Sequence, residues 1–184
     1  MPYYVHTQDR PGVEERLLEL AESHWSYMDR YADRLVLRGP TLTADGEEHT
    51  GSVHVVDLAG RAEAERFGHE EPYWRAGLYE NITVSRVVVV RARPTKTSVA
   101  LVTGVWPDQP RDPGDVVDEL GDDRIDFFAL LVDDEAARTT GVLAAVSAPP
   151  DTAWAVLRPV ADRFAGGGGP VPLTARRWQQ GGRA

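Results

Sequence analysis

The sequence predicts an α+β protein of two tandem ferredoxin-like (βαββαβ) repeats, residues 1–93 and 97–184, packed as an intrachain dimeric α+β barrel. Three observations predict it. Strand-prone and helix-periodic segments follow the order βαββαβ twice. Each half carries a polar hairpin tip at the corresponding place, Asp45-Gly46 and Asp133-Asp134-Glu135. The halves meet at Ala92-Arg93-Pro94, a chain-breaking linker. A sheet with two helices on one face leaves its other face bare. Burying two such faces together, at about 25 cal/mol per Å² of apolar surface, is strongly preferred to exposing them.

The elements follow in order. Tyr3–Asp9 alternates and ends at Arg10-Pro11-Gly12. From Val13 to about Tyr31, Leu17, Leu20, Ala21, His24, Met28 and Tyr31 recur at spacings of three and four, one inward helical stripe. Arg34–Leu37 is a short strand closed by Gly39-Pro40. Thr43–Thr50 is a polar hairpin with Asp45-Gly46 at its tip, and Ser52–Leu58 is the returning strand. A helix starts at Ala62–Phe67. Pro72 interrupts it, and Tyr73–Tyr79 forms a further turn before the long strand Ile82–Arg91. The second half reads as strand Ser98–Val105, a Pro/Asp-rich loop Trp106–Asp115, and a short helix marked by Val116, Val117 and Leu120. Strands Ile125–Val132 and Gly141–Ala148 follow, then a helix from Ala153 to Phe164 that should kink at Pro159. The glycine turn Gly166–Gly169 leads to a last strand, Val171–Trp178.

Composition excludes several classes. The net charge is −9, with 16 acidic against 12 basic residues in 1–96 and 13 against 8 in the remainder. Neither half is basic, so nucleic acid and anionic membrane surfaces are not expected partners. No run reaches the roughly 18–20 apolar residues of a membrane helix, and Met1–His6 lacks the basic and apolar regions of a signal peptide. A cytoplasmic protein is expected. The chain has no cysteine, which removes disulfides, thiolate ligands and a cysteine nucleophile. Gly166–Gly169 lacks the Gly-Lys-Ser/Thr ending of a phosphate loop and no G-x-G-x-x-G follows the first strand, so no cofactor is expected.

Several segments of the first half resemble the YciI (YCII-related) family when taken in order. They are Tyr4-Val5 with Gln8-Asp9, the helix carrying His24, Arg38-Gly39-Pro40, Thr50-Gly51-Ser52, and Glu71-Pro72-Tyr73-Trp74-Arg75-Ala76-Gly77-Leu78-Tyr79-Glu80. The resemblance covers about residues 1–93 and implies small ferredoxin-like proteins that pair into an α+β barrel. It also implies a His–Asp pair as active site; some relatives remove chloride from aromatic intermediates or act as small lyases. By the resemblance the histidine falls on His24 and the carboxylate on Glu71, a glutamate where the family has aspartate. The second half resembles the family in topology only. All five histidines and all six tyrosines lie at or before Tyr79, so the chemistry is expected in the first copy.

His24 and Glu71 are accordingly the catalytic candidates, the carboxylate orienting the imidazole as general base or acid. The plain alternatives are a core histidine and a pair of solvated acids before a proline. His6, Tyr27, Ser52 and Tyr73 are candidate substrate-binding residues, in a pocket whose aromatic walls suit a planar metabolite. A metal held by His6, His24 and His54 lacks supporting spacing, and no metal is expected. His49 and His69 read as solvent residues near turns. The expected function is a cofactor-independent lyase, isomerase or dehydrohalogenase acting on a small molecule. The rivals are a non-catalytic ligand-binding or accessory protein, favoured if His24 has no nearby carboxylate, and a structural partner of a larger enzyme. A homodimer is left open.

Overall fold

The computed structural model describes residues 1–93, 97–109, 120–165 and 170–182. The chain divides into two compact units, Met1–Val84 with Gly181 and Gly182, and Ser85–Gln180. Both are α+β and built on antiparallel sheet.

In the first unit β1 (Pro2–Asp9) leads to α1 (Glu14–Asp29), a 3-10 turn (Ala32–Arg34), β2 (Leu35–Leu42) and β3 (His49–Asp57). Helices α2 (Arg61–His69) and α3 (Pro72–Arg75) follow, then β4 (Tyr79–Ala92), whose first residues belong to this unit. Strand β3 is central and pairs antiparallel with β1 and β2. The helical stripe packs as its spacing dictates. Tyr27 and Met28 of α1 and Ala64 and Phe67 of α2 bury against Tyr3, Val5, Val56 and Leu58. Glu14 and Glu15 occupy the first turn of α1, where acidic charge complements the helix dipole.

Strand β2 departs from the expectation. It does not stop at Gly39-Pro40 but runs on to Leu42, with Arg38 opposite His54 and Pro40 opposite Ser52. Proline is tolerated in a strand where its missing N–H is not a ladder donor. Strand β4 likewise begins at Tyr79, because α3 ends after one turn.

In the second unit the rest of β4 pairs with β6 (Ile125–Val132). Strand β6 pairs with β7 (Thr139–Val146), β7 with β5 (Ala100–Gln109), and β5 with β8 (Leu173–Trp178). The order β8-β5-β7-β6 is that of a ferredoxin-like sheet. Helix α4 (Pro150–Phe164) runs through Pro159, which is exposed, and buries Ala153, Val156, Leu157, Ala161 and Phe164 against this sheet. Strand β5 extends to Gln109 into the segment expected as a loop, with a register shift after Val105. The expected helix at Val116 and Val117 and the turn Gly166–Gly169 lie outside the described residues.

The hairpins of the two units superpose in sequence at an offset of ninety positions. Gly46 N–H donates to Thr43 O, and Ala136 N–H to Asp133 O. Gly46 has φ +85° and Ala136 has φ +57°, the positive-φ residue without glycine's freedom. The left-handed region costs an L-residue roughly 1–2 kcal/mol, partly offset by the flexibility glycine has when unfolded. Ala136→Gly is therefore expected to stabilise the protein by about 0.5–1 kcal/mol, seen as a higher urea midpoint at unchanged slope. A lower midpoint would contradict this.

Candidate active site

Helix α1 presents His24 toward the sheet, and the turn before α3 presents Glu71. The imidazole Nδ1 and Glu71 Oε1 are 2.6 Å apart, with side-chain exposures of 13% and 3%. The carboxylate is buried and its other oxygen is also used. Oε2 accepts from the backbone N–H groups of Tyr73 (3.0 Å) and Trp74 (3.2 Å), capping α3. Short side chains normally fill this position. The longer Glu reaches the cap and the imidazole together. A carboxylate oxygen can only accept from a ring N–H, so the contact favours the Nδ1–H form of a neutral imidazole, the tautomer that leaves an Nε2 lone pair. Among the described residues no hydrogen-bond partner holds Nε2.

The Tyr73 ring lies on the imidazole, centroids 4.5 Å apart and planes within 2°. Its hydroxyl donates to Leu17 O at 3.0 Å, tying α3 to α1. The imidazole is thus fixed in plane by Tyr73 and in azimuth by Glu71.

Strand register settles which other candidates share this face. Val5 pairs with His54, His6 with Val53, and Thr7 with Ser52. Side chains alternate, so Val5, Thr7, Ser52 and His54 face the helices while His6 faces away. His54 is buried, 6.2 Å from the His24 ring and edge-on to Phe67. Burial pushes its pKa well below the usual imidazole range, and the neighbouring His24 and Arg38 push the same way, so it is neutral. Ser52 Oγ accepts from the buried Tyr79 hydroxyl at 3.4 Å, and Ser52 N–H donates to Thr7 Oγ1 at 3.1 Å.

Two expected substrate-binding residues are elsewhere. His6 lies on the opposite face of the sheet, stacked near Tyr4, a consequence of register that sequence alone does not specify. Tyr27 is committed to the core. Its hydroxyl donates to Phe67 O at 2.9 Å, and burial raises its pKa. Ser52 and Tyr73 do lie on the His24 side. His49 is not a solvent residue. Its Nδ1 meets Asp9 Oδ2 at 2.5 Å, and the Asp9 side chain is only 5% exposed. Asp9 was readable from alternation, two positions after Thr7, but the polar run around His49 hid its partner. Among the described residues no group of three or more His, Asp and Glu side chains is arranged to hold a metal ion. No helix among them is long and apolar enough to cross a membrane.

In unit two the register-equivalent face is apolar. Gly104 pairs with Val142, and Val102 with Ala144, so Gly104, Val142 and Ala144 stand where Thr7, Ser52 and His54 stand in the first unit.

Protein YciI of Escherichia coli O6:H1 and of Shigella flexneri are each 26% identical to this chain over 91 residues, 46% of this chain and 93% of theirs. A solved 5-chloro-2-hydroxyhydroquinone dehydrochlorinase from Burkholderia phenoliruptrix AC1100, in complex with 2,5-dihydroxybenzoquinone, is 27% identical. It covers 47% of this chain and 92% of its own, with a TM-score of 0.45. A proposed monooxygenase from Lactobacillus acidophilus NCFM matches 98% of this chain and 97% of its own at 9% identity and TM-score 0.57; one from Fusobacterium nucleatum gives 97%, 91%, 10% and 0.52. These two share the α+β, ferredoxin-like fold. The YCII-related domain model matches residues 1–88, and this first half of the chain is a YCII-related domain.

Proposed function

We propose that the protein is a small cofactor-independent enzyme in which His24 is the general base and acid and Glu71 positions it. The observation that carries this reading is the 2.6 Å contact between His24 Nδ1 and a buried carboxylate, with Nε2 left without a partner among the described residues. A carbon acid next to a carbonyl loses its proton to Nε2, and the electron pair moves onto the carbonyl oxygen. Glu71 stabilises the imidazolium that forms. The proton returns at a neighbouring carbon in an isomerisation. In an elimination the enolate expels a leaving group and the imidazolium releases its proton to solvent. Non-catalytic binding would be favoured by a His24 without a carboxylate, and Glu71 argues against it.

We further infer that the second unit is a degenerate copy whose site positions have become core. The ninety-position hairpin offset and the apolar Gly104, Val142 and Ala144 support this. The expected partner is a small molecule, with neither nucleic acid nor membrane involved.

Solvent exchange tests the catalytic reading. Small enolisable carbonyl compounds and hydroxylated aromatics are incubated with the protein in D₂O, and deuterium uptake is followed by NMR. Wild type should label at least one member, and His24→Gln should lose about 10²–10⁴-fold of that rate with an unchanged near-UV spectrum. Exchange unaffected by His24→Gln, or none with any compound, would overturn the proposal.

A further inference from the structure

We propose that Arg38 is the substrate anchor beside His24: its guanidinium binds a carboxylate carried by the molecule on which His24 acts. The inference rests on the acid–base reading of His24, and it narrows the substrate to a small carboxylic acid, bound ionised, with an enolisable C–H.

Arg38 lies on β2 directly opposite His54 of β3. Residues paired across two strands leave the sheet on one face, so Arg38 shares the helix-facing side with His54. The His54 ring in turn is 6.2 Å from the His24 ring. The nearness of Arg38 is also felt electrically, since its charge helps to keep His54 neutral. Arg38 is partly buried, yet among the described residues no carboxylate or carbonyl accepts from its guanidinium.

The group is nonetheless held in place. Gly181 N–H donates to Arg38 O at 2.9 Å, which lays Gly182 against the arginine side chain. Gly182 has φ +121°, and a Cβ there would overlap Nη2 and lie 2.7 Å from Nε and 2.8 Å from Cζ. Glycine lets the backbone wall the guanidinium by contact alone and leaves its donors unspent. The second unit supplies an internal comparison. Ala144 stands there in the place of His54, and its partner across β6 and β7 is Phe128. The unit without histidines is also without a cation at this position.

A partly buried charge with no counter-charge is costly, and such a group persists where a ligand supplies what is missing. The flat fork of an arginine matches the two oxygens of a carboxylate. The carboxylates nearby are already engaged. Glu71 accepts from His24, Tyr73 and Trp74, and Asp9 is paired with His49. The bound molecule therefore brings the negative charge to Arg38 and presents its C–H to His24 Nε2. Arg38 stays protonated throughout and moves no proton.

The experiment uses the full chain, labelled with ¹³C and ¹⁵N, titrated with pyruvate, levulinate and phenylacetate and with their methyl esters. The Arg38 Nε–H and the His24 ring are followed by NMR. The acids should move both groups together. The esters should bind about 10–100-fold more weakly, as expected for losing hydrogen bonds to a charged group. Arg38→Gln should abolish the preference for acid over ester. Gly182→Ala keeps the charge but displaces it, and should lose about tenfold of the acids' affinity with the His49 signals unchanged. Acid affinity indifferent to Arg38→Gln overturns the anchor. Should that variant not fold, Gly182→Ala without loss of acid affinity overturns it equally. If acids bind through Arg38 while deuterium exchange is indifferent to His24→Gln, the anchor stands and the acid–base reading falls. If exchange requires His24 while acids and esters bind alike, the anchor falls and that reading stands. If no acid moves Arg38 at about 50 mM, above the millimolar range expected for such small ligands, the anchor is overturned.

Discussion

Glu71→Gln is expected to lower turnover by about 10³–10⁴-fold while the protein remains folded. The reason is geometric. Glu71 Oε2 accepts two backbone donors, from Tyr73 and Trp74, and Oε1 accepts the Nδ1 proton of His24. A glutamine has only one oxygen. The helix cap demands an acceptor, so the amide oxygen stays with Tyr73 N–H and Trp74 N–H and the NH₂ group turns toward Nδ1. That nitrogen must then accept. The imidazole proton moves to Nε2, the atom required as base, and the ring holds the wrong tautomer. Nitrogen chemical shifts of the His24 ring would report the inversion before any substrate is known. An Nδ1-protonated ring in Glu71→Gln, or turnover within tenfold of wild type, would remove Glu71 from the mechanism. Glu71→Ala differs, since it loses the cap as well, at about 1 kcal/mol of stability.

Gly51→Ala is the substitution with the largest expected effect on folding. Gly51 stands on the central strand β3, paired with Gln8 on one side and Thr41 on the other. Its φ is +157°, and an added Cβ would lie 2.0 Å from Thr7 O and 3.2 Å from Thr41 Oγ1. The nearest atom belongs to the backbone of Thr7 and cannot swing aside. Strand β1 must shift or the pairing must open, and the combined strain and overpacking should cost about 3 kcal/mol or more. Gly141, at the same place in the second unit, meets the backbone oxygen of Gly104 at 2.3 Å and should behave alike. Gly121 is the control. Its Cβ would meet nothing within 4 Å, and Gly121→Ala should change stability by no more than about 0.5 kcal/mol. Urea unfolding of the three variants is the measurement. A Gly51→Ala midpoint equal to that of Gly121→Ala would show the β1–β3 approach to be looser than described.

These residues also show how far the sequence alone could be read. The α1 stripe was legible because helical periodicity is local: Leu17 and Met28 are buried and His24 faces inward with them. The contact between His24 and Glu71, 47 positions apart, came through family resemblance, since no local pattern reports it. Register was the chief thing hidden. His6 and His54 look equivalent on the page, both even-numbered on alternating strands, yet only the pairing of Val5 with His54 decides that one joins His24 and the other does not. The polar hairpin around His49 suggests solvent, and hides its pairing with Asp9. The general behaviour of proline suggests a strand end at Gly39-Pro40, which the place of Pro40 opposite Ser52 overrides.

Helix α3 has only four residues, too few to persist by its own backbone bonds. The carboxylate that caps it is the one that orders the imidazole, so His24, as the proposed base, inherits the lifetime of this turn. Each local opening releases Tyr73 N–H and Trp74 N–H, frees Glu71 to rotate, and idles His24 until the turn re-forms. In the proposed acid–base role, turnover is expected to scale with the closed fraction of molecules. Substitutions along Pro72–Arg75 that touch no substrate are then expected to tune that activity by changing how long the turn stays formed.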